Sequence, residues 1–300
     1  MTTSNQIVQR KMPFSVAINT PSMQKLIANV LHESARCMQF TTSIVSAVAV
    51  NQTLQNCDYN TVVSGALLGA SLNLTPSPQL GQYYLVPFYN KKKDIQDAQF
   101  VLGYKGYVQL ALRSGQYKSI NVEIVKQGEY KGRDPMTGDP RFRFIEDDDE
   151  WERLPVIGYM ASFEYLNGFR KVLYWSKEKM MNHADRYSAA FSRKAYENLI
   201  AGNIPQGEMW KYSSFWYKDF DSMAKKTMLR QLISKWGIMS ADMQIAYEAD
   251  SRVIEETESG QLVPQVEEEP PQQIEQPQAE QAVDAQTTAA EPKQIDLSSL

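Results

Sequence analysis

An α+β fold, in which a small β-sheet with hairpins packs against helices and a disordered acidic tail follows, is what three features of this 300-residue chain predict. Two aromatic-rich segments between Gly81 and Leu102 flank Lys91-Lys92-Lys93 and lead directly into an amphipathic helix. A second pair of segments flanks Asn167-Gly168, a dipeptide that tolerates φ > 0 and so marks a tight hairpin. From Ser251 onward the composition turns to Gln, Glu, Pro and Ala, which cannot bury enough surface to offset the entropy lost on ordering.

The elements follow in order. Residues 1–19 are polar and read as a flexible arm. Thr20-Pro21 supplies an N-cap and an N1 proline for a helix carrying Leu26, Ile27, Val30 and Leu31. Further helices are expected over Thr42–Gln55 and Thr61–Leu72, where Ala47, Gly65, Ala66 and Gly69 permit close packing. After the lysine-tipped hairpin comes a helix over Tyr104–Ser114, bounded by Gly103 and Gly115. Lys118–Lys126 alternates as a strand does, and Phe142-Arg143-Phe144 offers a short one. Ile157–Leu166 and Arg170–Trp175 form the hairpin around Asn167-Gly168, and Ser176 caps the helix after it. An aromatic and basic stretch, Arg186–Lys218, precedes a last helix over Phe215–Trp236. On that helix Phe220, Met223, Thr227 and Leu232 are expected to face the core, and Lys218, Lys225, Lys226, Arg230 and Lys235 the surface. The resulting division is an arm over 1–19, one domain over 20–250 and a tail over 251–300. The last six residues, Ile295–Leu300, regain apolar character and are a candidate docking motif.

The net charge of −4 hides a split. Residues 251–300 hold two basic and eleven acidic groups, net −9, so the first 250 residues hold 29 basic and 24 acidic groups, net +5. Within that body Glu146–Glu152 puts six acids into seven positions, leaving the rest more basic still. A basic body with an acidic tail suits an anionic ligand.

Other chemistries find little support. Two cysteines and two histidines make neither a disulfide framework nor a zinc-ligand spacing, and leave little choice of general base. No phosphate-cradling Gly-rich loop ending in Gly-Lys-Ser/Thr is present; Gly103-Tyr104-Lys105-Gly106 lacks both spacing and hydroxyl. The Glu146–Glu152 run, with Asp147, Asp148 and Glu150, is the one place where a magnesium-dependent nuclease would find carboxylates. A contiguous acidic run is normally a solvated loop, however, whereas metal nucleases gather carboxylates from separate elements. No apolar run approaches the roughly 18 residues of a membrane span, and no signal pattern opens the chain, so a cytoplasmic location without cofactor or metal is expected.

The positive signal lies on the Tyr104–Ser114 helix. Lys105, Gln109 and Arg113 recur at i, i+4 and i+8 and form one cationic stripe beside aromatic strands. Such spacing also suits a merely solvated face. A cationic track next to flat rings is equally what holds a phosphate backbone while bases stack or stay exposed.

The run LGASLNLTPSPQLGQYYLVPF (Leu68–Phe88), followed by FVLGYKGYVQLALRSGQY (Phe100–Tyr117), resembles the RecT family of phage and prophage single-strand annealing proteins. The resemblance is dense over about fifty residues, and the order of elements to about residue 240 is consistent with it. It implies ATP-independent binding of single-stranded DNA, annealing to a complementary strand, and self-assembly into rings or helical filaments with a continuous cationic groove. It also implies a phage 5′→3′ exonuclease and the host single-strand binding protein as partners. Within the matched motif Lys105 and Arg113 would contact phosphates, Gln109 would bond the backbone between them, and Lys118 would extend the track. Arg193, Lys194, Lys211, Lys218, Lys225 and Arg230 are further candidates from the basic stretch and the last helix. Annealing requires Watson–Crick edges to stay free, so the grip must fall on phosphates and leave base identity unread. A self-assembling structural protein without annealing activity and the magnesium nuclease are the alternative readings.

Overall fold

Apolar residues at helical spacing build the first layer. In the computed structural model, which describes residues 12–77, 79–257 and 259–265, a short α1 (Phe14–Ala17) comes first and buries Phe14, whose ring meets Tyr59 edge-on at 5.1 Å. The arm expected over 1–19 is therefore ordered from Phe14 on, because Phe14 and Ile18 have a core to enter; residues 1–11 lie outside the described residues. Pro21 starts α2 (Pro21–Leu31), as its fixed φ favours. The next helix, α3 (Ser34–Val50), begins eight residues before the Thr42 start expected. Thr41 and Thr42 donate to the carbonyls of Cys37 and Met38, the i−4 bonds of threonines inside a helix rather than at its cap. A 3-10 turn (Gln52–Asn56) follows, and Asp58 caps α4 (Tyr59–Ser71) by accepting from Asn60 N–H.

The lysine-tipped hairpin is β1 (Tyr83–Asn90) and β2 (Ile95–Leu102), paired antiparallel along their full length. After it come α5 (Tyr104–Arg113) and β3 (Tyr117–Lys126), then the small hairpin β4 (Tyr130–Arg133) and β5 (Pro140–Phe142). The acidic run forms α6 (Asp148–Arg153), capped by Asp147. Next, β6 (Val156–Tyr165) and β7 (Arg170–Ser176) turn at Gly168, whose φ of +85° favours glycine. Ser176 caps α7 (Lys177–Tyr187), followed by α8 (Arg193–Ile200) and a 3-10 turn (Gln206–Tyr212). The expected last helix is two, α9 (Phe215–Lys218) and α10 (Phe220–Trp236), broken where Asp219 turns extended and caps Ser222 N–H. Finally come α11 (Ala241–Ala249), β8 (Arg252–Glu256) and β9 (Leu262–Pro264).

Two larger antiparallel sheets result, one ordered β1-β2-β8-β9 and the other β3-β6-β7. Helix α4, buried along most of its length, lies on β2 and β8; α10 lies on the second sheet and also touches α5. Ordered strands therefore continue past the boundary expected at 250, through β8 and β9. An average taken over fifty residues concealed Val253 and Ile254, which are 2% and 0% exposed and lie on β8, an inner strand of the first sheet. The remainder of the expected tail, with its Ile295–Leu300 motif, lies outside the described residues.

The last helix also departs from expectation in which face is buried. Ala224, Lys226, Met228, Leu229, Leu232 and Ile233 are inside with Phe220, while Met223 and Thr227 are only half-buried. Lys226 and Arg230 face Asp250, at the α11–β8 junction. Asp250 Oδ1 accepts from Lys226 Nζ at 2.7 Å and from Leu102 N–H at 2.9 Å, and Oδ2 accepts from Arg230 Nη1 at 2.7 Å. Tyr107 Oη of α5 lies 3.4 Å from Oδ2. Burial alone would raise the Asp250 carboxyl; the two cations and the Leu102 N–H override it and hold it below its ordinary value of 3.8. Burial, by contrast, wins at Lys226 and lowers its ammonium.

The close seating of α5 on the hairpin depends on two glycines. A Cβ at Gly103 would stand 2.1 Å from the Gly81 carbonyl oxygen, and one at Gly106 2.2 Å from that of Gln82. Gly103 N–H also donates to Gln82 O at 2.8 Å.

Asp250→Asn should leave buried Lys226 and half-buried Arg230 without a countercharge and cost about 3–5 kcal/mol, read by urea unfolding at neutral pH. Because the folded-state pKa is depressed, this stability is present above the ordinary carboxylate value of 3.8 and is lost as pH falls through the folded one. The gap between wild type and Asp250→Asn should accordingly narrow in acid. Gly106→Ala should lower stability by roughly 1–3 kcal/mol, since the clash is with backbone that cannot rotate away; an unchanged unfolding midpoint would contradict this packing.

Candidate nucleic-acid interface

Helix α5 separates its faces cleanly. Gly106, Tyr107, Leu110 and Ala111 are buried, whereas Lys105, Gln109, Leu112 and Arg113 are exposed. The stripe expected from the sequence is thus an exposed row, about 12 Å from Lys105 to Arg113 at the helical rise. That length spans three to four phosphates of a strand at about 3.4 Å each.

Each end of the row is extended by residues the periodicity could not show. At the N-terminal end Gly81 has φ +61° and brings its backbone beside the Tyr84 hydroxyl and the Lys105 stem. The Tyr84 ring lies 5.1 Å from Phe215 of α9, and Lys225 Nζ of α10 sits 5.6 Å from the Tyr104 ring. A narrow crevice opens among Tyr84, Gly103, Tyr104, Phe215, Asp219 and Met223. Burial, with Asp219 nearby, pushes both the Tyr84 and Tyr104 hydroxyls up, so at neutral pH they remain hydrogen-bond donors.

At the C-terminal end two guanidiniums meet one loop. Arg113 donates to Gln109 O and Asn73 O at 3.3 and 3.4 Å. Arg36, from α3, donates to Asn73 Oδ1 at 3.0 Å and Ala70 O at 3.2 Å. Their partners are neutral oxygens; among the described residues no carboxylate lies within ion-pair distance of Arg36, Lys105 or Arg113. The positive charge here is therefore uncompensated.

The other sequence-derived candidates divide sharply. Lys194 and Lys218 are exposed and free of carboxylates in the same sense. Lys118 is paired with Glu164 at 2.6 Å across the β3–β6 ladder, and Lys211 with Glu208 at 3.0 Å. Lys225 stands 3.8 Å from Glu123. Arg193 ties α8 to α7 through Glu197 at 2.9 Å and Glu178 at 3.6 Å, with Asn182 also bonded. Arg230 belongs to the Asp250 cluster and stacks on Tyr247 at 4.1 Å, so it is inside the fold rather than on a track. At the hairpin tip Lys91 and Lys92 are exposed and Lys93 pairs with Glu255 of β8 at 2.7 Å.

The acidic run has a structural use. Asp147 Oδ1 accepts from Glu150 N–H at 2.8 Å, and Lys126 Nζ donates to the Leu154 carbonyl at 2.8 Å while lying over the Trp151 ring. Among the described residues no three His, Cys, Asp or Glu side chains gather as metal ligands would, and no helix is long and apolar enough to cross a membrane.

The chain is 38% identical over 246 residues to an uncharacterized protein, YqaK, of Bacillus subtilis, a match covering 82% of this chain and 72% of that one. It is 37% identical over 117 residues to Protein RecT of Escherichia coli, covering 37% of this chain and 42% of that protein. Residues 38–269 match the RecT family as a whole, a span that contains the α5 row, both sheets and the Asp250 cluster. By this match over most of its length the chain belongs to the RecT family, whose members anneal single-stranded DNA in recombination.

Proposed function

We infer that this protein anneals complementary DNA strands without ATP, holding the first strand by its phosphates along the Lys105–Gln109–Arg113 row. The observation that carries this reading is the uncompensated row itself, extended by Arg36 at one end and by Tyr84, Tyr104 and Phe215 at the other. Lysine and arginine on a helix face grip phosphate oxygens without reading bases. The strand's edges stay free for a complement, and the complex is stabilised when pairing succeeds. One row of about 12 Å holds only a few phosphates, so a long strand requires many protomers side by side, in a ring or a helical filament. Assembly multiplies weak contacts through effective concentration. An exonuclease that exposes the strand, and a single-strand binding protein that covers it beforehand, are the partners this reading implies. The alternative of an assembling protein without annealing activity leaves the exposed charge on α5 without a task.

The test is annealing of two complementary oligonucleotides added in sequence, with chelator and without nucleotide. Lys105→Ala/Arg113→Ala should abolish rapid annealing while the circular dichroism and melting temperature stay near wild type. Its salt dependence of single-strand binding should flatten, the log–log slope shrinking by about 1.4 for two lost phosphate contacts. Wild-type protein that binds no single strand, or a double variant with unchanged rate and slope, would refute the assignment.

Arg193→Ala and Lys211→Ala should behave differently, because their charges are already neutralised by Glu197, Glu178 and Glu208. Their annealing rates and salt slopes should remain within about twofold of wild type, measured in the same assay, against the loss of rapid annealing expected at the row.

A further inference from the structure

The segment between α8 and α9 carries an indole that the fold does not use. Trp210 is 72% exposed; among the described residues its ring pairs with no other aromatic ring, and Lys211 Nζ lies 5.8 Å from it. Its backbone is nonetheless fixed: the 3-10 turn Gln206–Tyr212 is seated on α9 through Tyr212, whose ring meets Tyr217 edge-on at 5.1 Å. Five residues later Phe215 faces Tyr84 at the mouth of the crevice beside Lys105. A large ring is thus presented to solvent on an anchored turn, within about 18 Å of the cationic row's aromatic end by chain length.

We propose that Trp210 is a stacking platform for a nucleobase of the single strand held by the Lys105–Arg113 row; this rests on the proposed function above. An indole offers a flat π-face, and every base has one, so stacking adds affinity without sequence preference. Stacking occupies the face of a base and leaves its Watson–Crick edge open. It is therefore compatible with annealing in a way that edge hydrogen bonds are not. The surroundings favour a polyanion over an apolar protein surface, since exposed Lys218, with no carboxylate within ion-pair distance, lies on the adjoining α9.

The experiment uses the full-length chain and two labelled oligonucleotides of equal length, oligo-dT and an abasic strand with the same phosphates. Affinity is measured by anisotropy at one salt concentration, and assembly without DNA by sedimentation velocity. Trp210→Ala should weaken oligo-dT binding roughly tenfold, leave abasic binding as in wild type, and sediment as wild type does. Trp210→Phe, which keeps a ring, should recover most of the loss. Equal weakening on both strands with slower sedimentation would instead place Trp210 in a contact between copies and overturn the proposal. Undiminished oligo-dT binding by Trp210→Ala would overturn it as well. Wild-type protein that binds neither strand would refute the functional reading itself, a result distinct from both.

Discussion

One buried carboxylate holds the architecture in register. Asp250 receives hydrogen bonds from the end of β2, from two cations of α10 and from the following turn, and lies beside the Tyr107 hydroxyl of α5. Two cations against one carboxylate leave a net positive charge in a buried place. That arrangement persists because every oxygen of Asp250 is bonded, and because breaking a buried ion cluster costs more than the cluster itself contributes. The chain is committed here to a single docking of α10 on the second sheet and against α5. Tyr107 then fixes α5, and α5 in turn fixes the direction in which Lys105, Gln109 and Arg113 point.

The cluster also explains how the basic residues of the body are distributed. Lys126, Lys226 and Arg230 are spent on internal structure, capping α6 or neutralising Asp250. Lys118, Arg193, Lys211 and Lys225 have carboxylates within ion-pair distance, and exposed pairs of this kind contribute little field beyond a Debye length. Uncompensated charge remains on Arg36, Lys105 and Arg113 about α5, on Lys194 and Lys218, and on other exposed cations such as Lys91, Lys92, Lys131, Arg143 and Arg186; only about α5 do such cations form one row along a helix face. A net charge for the body hides this, because it counts all three groups alike.

What the sequence disclosed follows the range of the physics involved. Local signals were readable: the Asn167-Gly168 turn, the Ser176 cap, the alternation of β3 and the i, i+4, i+8 row on α5 each depend on residues within a turn or two. Contacts across the chain were not. Arg36 reaches Asn73 across 37 positions, and no period in either segment announces it. Lys226 and Arg230 lie four apart like any solvated pair, and only Asp250, twenty residues beyond Arg230, makes them internal. Composition misplaced the body's end for a related reason. A strand as short as Arg252–Glu256 is decided by two buried side chains, and a window wide enough to reveal an acidic tail dilutes them.

The same contrast bears on how such a surface can be both tight and permissive. Annealing asks for a grip strong enough to hold a strand and indifferent enough to let any complement pair with it. Charge on a rigid helix supplies grip without discrimination, since phosphates are identical along the strand. Rigidity comes from Gly103 and Gly106, which let α5 sit backbone against backbone on the hairpin at distances no side chain would tolerate. Aromatic rings at the row's end can add affinity through base faces and still leave the pairing edges alone. On the proposed function, discrimination then falls to the second strand, and the protein's part is to hold the first one with its pairing edges available.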